Sequence, residues 1–277
     1  MQQAAATRMT DILISPSLDH LGAENLSLKV ADSEAEIRAA QRLRYDIFYT
    51  EMGAKPIGDA AQTKLDIDKY DAICKHLLVI DSNLPQGQQI VGTYRLLLLE
   101  DAQRHGMTLY TESEFDLSKL KVTGKRIMEI SRSCVAETHR SKAAINLLWK
   151  GIAQYVFSNN VDYLVGVPSL SGTDLKAEHD TLAYLNAFHL APEEIRPRTV
   201  ESAYQPLPAV DKDKIDAKRA FMALPPLLKG YLRVGALVGD GAYIDHQFNT
   251  IDVVIVMPIN QVNDRYFNHY KRHDNNA

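Results

Sequence analysis

The sequence predicts an α/β fold: a mixed, mostly antiparallel sheet flanked by helices, with a β-rich extension at its C-terminal end. Three observations predict it. Hydrophobic periodicity switches between two-residue and 3.6-residue repeats in the order β-α-β-β-β-α-β-α. The turn at 83–88, with Pro85 and Gly87, separates two apolar runs closely enough to make a hairpin. Residues 141–158 carry Ile145, Leu148, Ile152, Tyr155 and Val156 at helical spacing, which makes one long helix that covers a sheet.

Taken in order, residues 26–30 alternate as a strand. Ser33 then caps a helix, with Glu34 and Glu36 in its first turn, and Gly53 and Pro56 end it near Met52. Ile37, Ala40, Arg44, Ile47 and Phe48 share one face of that helix. An acidic loop follows to about residue 72. Strands are expected at 76–80, 89–99, 126–135 and 162–167, and a helix at 175–188. Residues 192–219 are rich in proline and charge and read as an irregular excursion. A short helix at 224–234 precedes the glycines at 235, 239 and 241, and strands at 242–245 and 251–258 form the extension. Residues 1–25 read as a loose leader and 26–277 as a single domain.

The chain has 277 residues, of which 45% are hydrophobic, enough for a substantial core. A net charge of -4 argues against a polybasic nucleic-acid binder. The two cysteines, Cys74 and Cys134, lie in apolar strand-like runs and read as reduced thiols, with no zinc-site spacing. No stretch approaches the roughly 18–20 apolar residues of a membrane span. The expectation is a cytoplasmic protein, with contact to a membrane surface through 224–238 left open against a buried core segment.

Charges inside apolar runs locate the candidate chemistry. Arg95 interrupts the apolar run at 90–99, Glu129 and Arg132 interrupt 127–135, and Arg44 lies on the apolar helix stripe. An unpaired buried charge costs several kcal/mol, so such charges are paired or used. In a regular strand Glu129 and Arg132 point to opposite faces, and only a bulge would bring them together. A structural ion pair is the competing reading. Asp66, Asp68 and Asp71 lie in the acidic loop, which lacks the glycine and terminal glutamate of a calcium loop, so no metal is expected.

The loop at 135–144 carries His139, Arg140 and Lys142 ahead of the long helix. A strand–loop–helix start can hold a phosphate group, although an ordinary capped helix would look similar. His139, His179 and His246 are each a conceivable base. No Gly-x-Ser-x-Gly, Cys/His pair, P-loop or Rossmann pattern is present, so covalent catalysis has no visible nucleophile and direct attack by a substrate amine is the simpler chemistry.

Several segments resemble a known family. Arg42-Leu43-Arg44-Tyr45-Asp46-Ile47-Phe48, Asp68-Lys69-Tyr70-Asp71, Val91-Gly92-Thr93-Tyr94-Arg95 and Glu129-Ile130-Ser131-Arg132-Ser133-Cys134-Val135 look like acyl-homoserine-lactone synthases. Leu224-Pro225-Pro226-Leu227-Leu228-Lys229-Gly230-Tyr231 and the run from Gly239 to Val253 resemble more specifically the L-ornithine N-alpha-acyltransferases. Both are GNAT-like. The likeness spans roughly 28–260. The chain departs from it at Gly166-Val167-Pro168-Ser169 and at Ser171.

The resemblance implies a GNAT-like acyltransferase with no cofactor of its own. It would transfer a 3-hydroxyacyl chain from the phosphopantetheine arm of acyl carrier protein to the alpha-amine of L-ornithine, giving lyso-ornithine lipid. Glu129 is then the base, with Arg132 beside it and a backbone N–H near Ser133 or Val135 as oxyanion donor. Asp68 and Asp71 would hold the substrate ammonium groups. Arg44 and Arg95 would order those acids or bind the substrate carboxylate, with Phe48 in the same pocket. Trp149 and Leu164 would line an acyl tunnel. His139, Arg140, Lys142, Lys150, Lys229 and Arg233 would receive the acidic carrier protein, and Asp245 and His246 are further candidates. Transfer to glycine, lysine or glutamine, or a non-catalytic acyl-carrier or lipid-binding module, are the alternatives.

Overall fold

The computed structural model describes residues 25–140 and 142–262. The leader expected at 1–24 and the polar, aromatic end at 263–277 lie outside the described residues, as does the side chain of Lys142.

Strand β1 (Leu26–Val30) leads into helix α1 (Glu34–Tyr45), where the Ser33 hydroxyl accepts from the Glu36 N–H. The single helix expected to Met52 divides here. From Asp46 to Glu51 the backbone widens into a π-helical turn that carries Ile47 and Phe48. Over six residues this widening barely changes the hydrophobic spacing, and such turns recur at functional sites. Helix α2 (Ala60–Thr63) lies within the acidic loop. Strands β2 (Lys75–Asp81) and β3 (Ile90–Leu98) form the expected hairpin.

The stretch 99–126 folds into helix α3 (Leu99–Arg104), a 3-10 turn (Tyr110–Ser113), strand β4 (Phe115–Asp116) and helix α4 (Ser118–Lys121). None is long enough to show a period in sequence. Strand β5 (Ile127–Val135), helix α5 (Lys142–Ser158) and strand β6 (Tyr163–Gly166) fall where expected. Strand β7 (Ser169–Ser171) precedes helix α6 (His179–His189), which starts four residues later than its apolar pattern. Strand β8 (Arg198–Thr199) pairs with β4, so the excursion is tied down. Helices α7 (Ala217–Ala223) and α8 (Pro226–Val234) follow, the second started by Pro226 and ended by Gly235 at φ 103°. Strands β9 (Leu237–Val238), β10 (Tyr243–Asp245), β11 (Thr250–Asp252) and β12 (Ile255–Pro258) complete the described chain.

Seven strands form the main sheet in the order β1-β2-β3-β5-β6-β12-β9, antiparallel except for the β5–β6 pair. The strand expected at 251–258 breaks after Asp252. Its second half, β12, lies inside the main sheet, whereas its first half, β11, joins β10 and β7 in a separate three-stranded sheet.

Helix α5 covers one face of the main sheet, where Leu77, Val79, Tyr94, Leu96, Met128 and Ile130 form the core. Gly151 permits this approach, since a Cβ there would lie 2.7 Å from a Leu77 methyl. Alternation along β3 and β5 turns Arg95, Leu97, Glu129 and Ser131 to the other face, where α1 packs on β2, β3 and β5.

Candidate active site

Two irregularities in β5 build the site. The parallel pairing with β6 runs only over Ile127–Glu129, after which the strands separate. Against β3, Thr93 is opposite Cys134 but Arg95 is opposite Ser131, so β5 holds one extra residue opposite Tyr94. That is a β-bulge, and Arg132 within it takes φ 50°. Ile130, Ser131, Arg132, Ser133, Cys134 and Val135 all line a cavity of about 710 Å³ that fills the opened edge.

One end of this cavity is apolar. Leu148 and Trp149 of α5, Tyr231 and Val234 of α8, and Tyr94 of β3 form its wall. The Tyr94 and Tyr231 hydroxyls are 2.5 Å apart, and burial pushes the Tyr94 phenol up to about 12, so it stays protonated. Trp149 also borders a second, wholly apolar cavity of about 60 Å³, which contains Leu164. Leu164 lies in that annex and does not line the main cavity.

The other end is charged. Arg132 stands 4.8 Å from the ring of Tyr110 and 5.1 Å from that of Phe248, which meets Phe48 edge-on. Its Nε donates to Asp66 Oδ2 at 3.2 Å and its Nη2 to Asp68 Oδ2 at 3.3 Å. These acids belong to a buried ionic lattice. Arg44 donates from Nε to Asp66 at 2.7 Å and makes a fork of 2.7 and 2.9 Å to Asp71. Arg95 Nη1 bridges Asp68 at 2.5 Å and Asp71 at 3.0 Å. Burial alone would raise the Asp71 carboxyl, but the Arg44 fork and the Arg95 charge hold it well below the usual carboxylate range.

In this lattice Asp66 and Asp71 are buried beneath α1 by their arginine partners. Arg44, Arg95, Asp68 and Asp71 do not line the cavity; they hold Arg132 where it does. Phe48, Arg132 and Ser133 are brought to the cavity wall.

Glu129 also stands apart from the wall, despite the bulge. Its Oε2 accepts from the Thr111 N–H at 2.7 Å and hydroxyl at 2.8 Å. Desolvation raises its pKa against those hydrogen bonds and the nearby Arg95. The bulge turns Arg132 onto the α1 face without opening a path from Glu129 to the cavity.

Of the basic residues, Arg140 and Arg233 line the cavity. Arg140 donates to Glu51 at 2.6 Å and to the Val135 carbonyl at 3.1 Å. His139 instead bonds Asp81 at 2.9 Å, and Lys229 donates to the Met222 carbonyl, so neither faces the cavity. His246 is exposed, and His179 sits beside Asp180 at the exposed start of α6.

Asp245 lines the charged end and accepts from the Gln247 and Phe248 N–H groups at 2.7 and 2.8 Å. With it stand two acids that the sequence reading passed over, Glu114 and Asp252. Oxygens of all three lie within 4.8 Å of one another, and all three residues are buried. Desolvation, then neighbouring negative charge, raises Glu114 to about 8. Desolvation raises Asp252 to about 7 against the pull of Ser169 and Thr250. Asp252 interrupts the apolar run at 251–256, the same signal that marked Arg95. Glu114 had no such mark, because 3-10 and β4 geometry buried it.

An acetyltransferase (GNAT) domain model matches residues 43–150. An L-ornithine N(alpha)-acyltransferase of Brucella abortus (strain 2308) is 39% identical over 273 residues, covering 97% of this chain and 95% of that protein. Another of that name from Rhizobium meliloti (strain 1021) is 41% identical, covering 92% and 88%. The chain belongs to the L-ornithine N(alpha)-acyltransferase family. It is an acyltransferase of GNAT fold. The crystal structure of the AHL synthase LasI superposes with a TM-score of 0.43 at 13% identity, covering 83% of this chain and 89% of that one.

In this acyltransferase Gly166 keeps the paired part of β5 and β6 close, because a Cβ there would lie 2.8 Å from the Ile130 carbonyl oxygen. The strands part immediately beyond it. No described helix is long and apolar enough to cross a membrane.

Proposed function

We propose that this acyltransferase moves a 3-hydroxyacyl chain from acyl carrier protein to the alpha-amine of L-ornithine, forming lyso-ornithine lipid. The observation that carries the reading is one cavity with an apolar end at Trp149 and Tyr231 and a charged end at Arg132 and Asp252, joined at the opened edge of β5. The names of the relatives support ornithine as acceptor.

The acyl chain lies along Leu148 and Trp149, and the annex beyond Trp149 takes its tip. Ala136 N–H donates to the Val91 carbonyl, so strand alternation turns the Val135 N–H away from β3, toward the opened edge. Placed at the thioester carbonyl, that N–H stabilises the developing oxyanion. The alpha-amine attacks the carbonyl carbon, the C–N bond forms and the C–S bond breaks. The Arg132 guanidinium disfavours the ammonium form of a neighbouring alpha-amine, and so promotes the nucleophile. The departing thiolate takes a proton from the Tyr94 hydroxyl, which Tyr231 holds, and the proton shed by the attacking amine restores that hydroxyl, so no buried phenolate remains.

Glu129 keeps a positioning role here, fixing the Tyr110–Ser113 turn through Thr111. Arg140 and Arg233 at the cavity offer cationic contacts to an acidic carrier protein at the cytoplasmic face of the membrane.

The test is thiol release from 3-hydroxyacyl carrier-protein thioesters, run with a panel of amino acids. Release that depends on ornithine is expected. Release with glycine, lysine or glutamine but not ornithine would replace the acceptor, and carrier binding without release would remove the catalytic reading.

A further inference from the structure

Glu114, Asp245 and Asp252 come from three separate elements, the end of the 3-10 turn and strands β10 and β11; Asp245 and Asp252 line the charged end of the cavity, and Glu114 meets them just outside that lining. Burying three carboxyl groups together is costly unless a cation or protons compensate them. Arg132 is near enough to draw both Glu114 and Asp252 down, yet both stay raised. Moreover, Glu114 Oε2 and Asp252 Oδ1 are fully buried and have no hydrogen-bond partner among the described residues. Each residue is only 4% exposed. Unpaired buried acceptors of this kind mark the place of a missing donor.

We propose that Glu114, Asp245 and Asp252 bind the side-chain ammonium of the acceptor and thereby select a diamino acid, a proposal that rests on the ornithine reading above. The spacing fits this guest. Three N–H···O bonds of about 2.8 Å in tetrahedral directions put the acceptor oxygens about 4.6 Å apart. The oxygens here lie within 4.8 Å of one another, which admits that guest. A divalent metal bound at about 2.1–2.4 Å would need them at roughly 3 Å, which the same limit also admits, but its double charge would face the Arg132 guanidinium. Holding the terminal ammonium here also separates the two amines of the acceptor. The distal amine stays charged and non-nucleophilic among carboxylates, while the alpha-amine lies on the Arg132 side, toward the thioester. Asp245 is kept in place by the backbone of residues 247–248, so the cluster is positioned before the acceptor arrives.

The test compares ornithine with norvaline, which has the same carbon chain without the distal amine, using acyl carrier-protein thioester and the full chain. A site built to pair a cation rejects the analogue that lacks it, so wild-type kcat/KM should favour ornithine by on the order of 100-fold or more. Glu114→Gln and Asp252→Asn should each lower that ratio at least tenfold, chiefly through KM for ornithine. Because either variant could fail to fold, the wild-type protein supplies a second measurement. Calorimetric titration in buffers of different ionisation enthalpy should show more protons released on ornithine binding than on norvaline binding, the alpha-amine contributing equally to both. Equal use of ornithine and norvaline, an unchanged ratio in folded variants, or equal proton counts would each overturn the proposal while leaving ornithine acylation intact. Selectivity that EDTA abolishes and calcium or magnesium restores would assign the cluster to a metal and overturn it too. Failure of every amine to release thiol would instead refute the underlying function.

Discussion

Arg132 and Asp66 are 66 residues apart in sequence and joined by a hydrogen bond: Arg132 Nε donates to Asp66 Oδ2 at 3.2 Å. Through this contact the lattice under α1 reaches the cavity. Arg44 and Arg95 neutralise the acids, and Arg132 alone of the three arginines lines the wall. The lattice thus positions one residue of the cavity wall, and substitutions in the lattice and in the wall have different signatures.

Arg44→Leu should destabilise the protein by about 3–5 kcal/mol, because Asp66 and Asp71 would be left buried with too little positive charge. Urea unfolding followed by tryptophan fluorescence measures this. A loss under about 1 kcal/mol would show that Arg44 is not the anchor its fork to Asp71 implies.

Glu129→Gln tests whether that carboxylate moves protons. The amide retains the acceptor for Thr111, so a folded variant is expected, with stability reduced by about 1–3 kcal/mol. Activity should fall while the acidic limb of the pH–rate profile stays where it is. Loss of that limb would return Glu129 to the role of general base.

The raised carboxyls give the empty protein a pH signature. Glu114 and Asp252 bind protons in the folded state up to about 8 and about 7, whereas ordinary carboxyls release them near 4. Between those limits the folded state holds more protons, so stability from these groups is full below about pH 4 and is lost as pH rises toward 8. Asp71 acts oppositely: its depressed pKa gives stability that is present above about pH 4 and is lost on further acidification. Thermal unfolding from pH 5 to 8 should show a declining Tm in wild type and a flatter profile in Glu114→Gln. The difference should be on the order of 3 kcal/mol. A steeper decline in the variant would contradict the assignment.

Gly166→Ala should force β6 away from β5 where the pair is tightest, since the new Cβ meets the Ile130 carbonyl. Overpacking of this kind costs typically about 1–3 kcal/mol, and acyl transfer should fall with it. Wild-type denaturation and activity in this variant would mean that the strand junction is looser than the 2.8 Å approach requires.

The sequence by itself determined the long elements. β1, the β2–β3 hairpin, β5, α5 and β6 repeat their period often enough to be read, and Ser33 marked the start of α1. Buried charge in apolar runs identified Arg44, Arg95, Glu129 and Arg132, because the cost of burial restricts such residues to paired or functional places. Tertiary structure alone decided how those charges divide. A one-residue bulge opposite Tyr94 sends Arg132 to the cavity, while Arg44 and Arg95 stay in the lattice and Glu129 stays on Thr111. It also decided the acidic cluster. Glu114, Asp245 and Asp252 lie up to 138 residues apart, on elements too short to carry a period, and only the pairing of β11 with β7 and β10 brings two of them beside the third. Local sequence sets backbone preference over a few residues, whereas the meeting of three carboxyl groups depends on strand register across the fold.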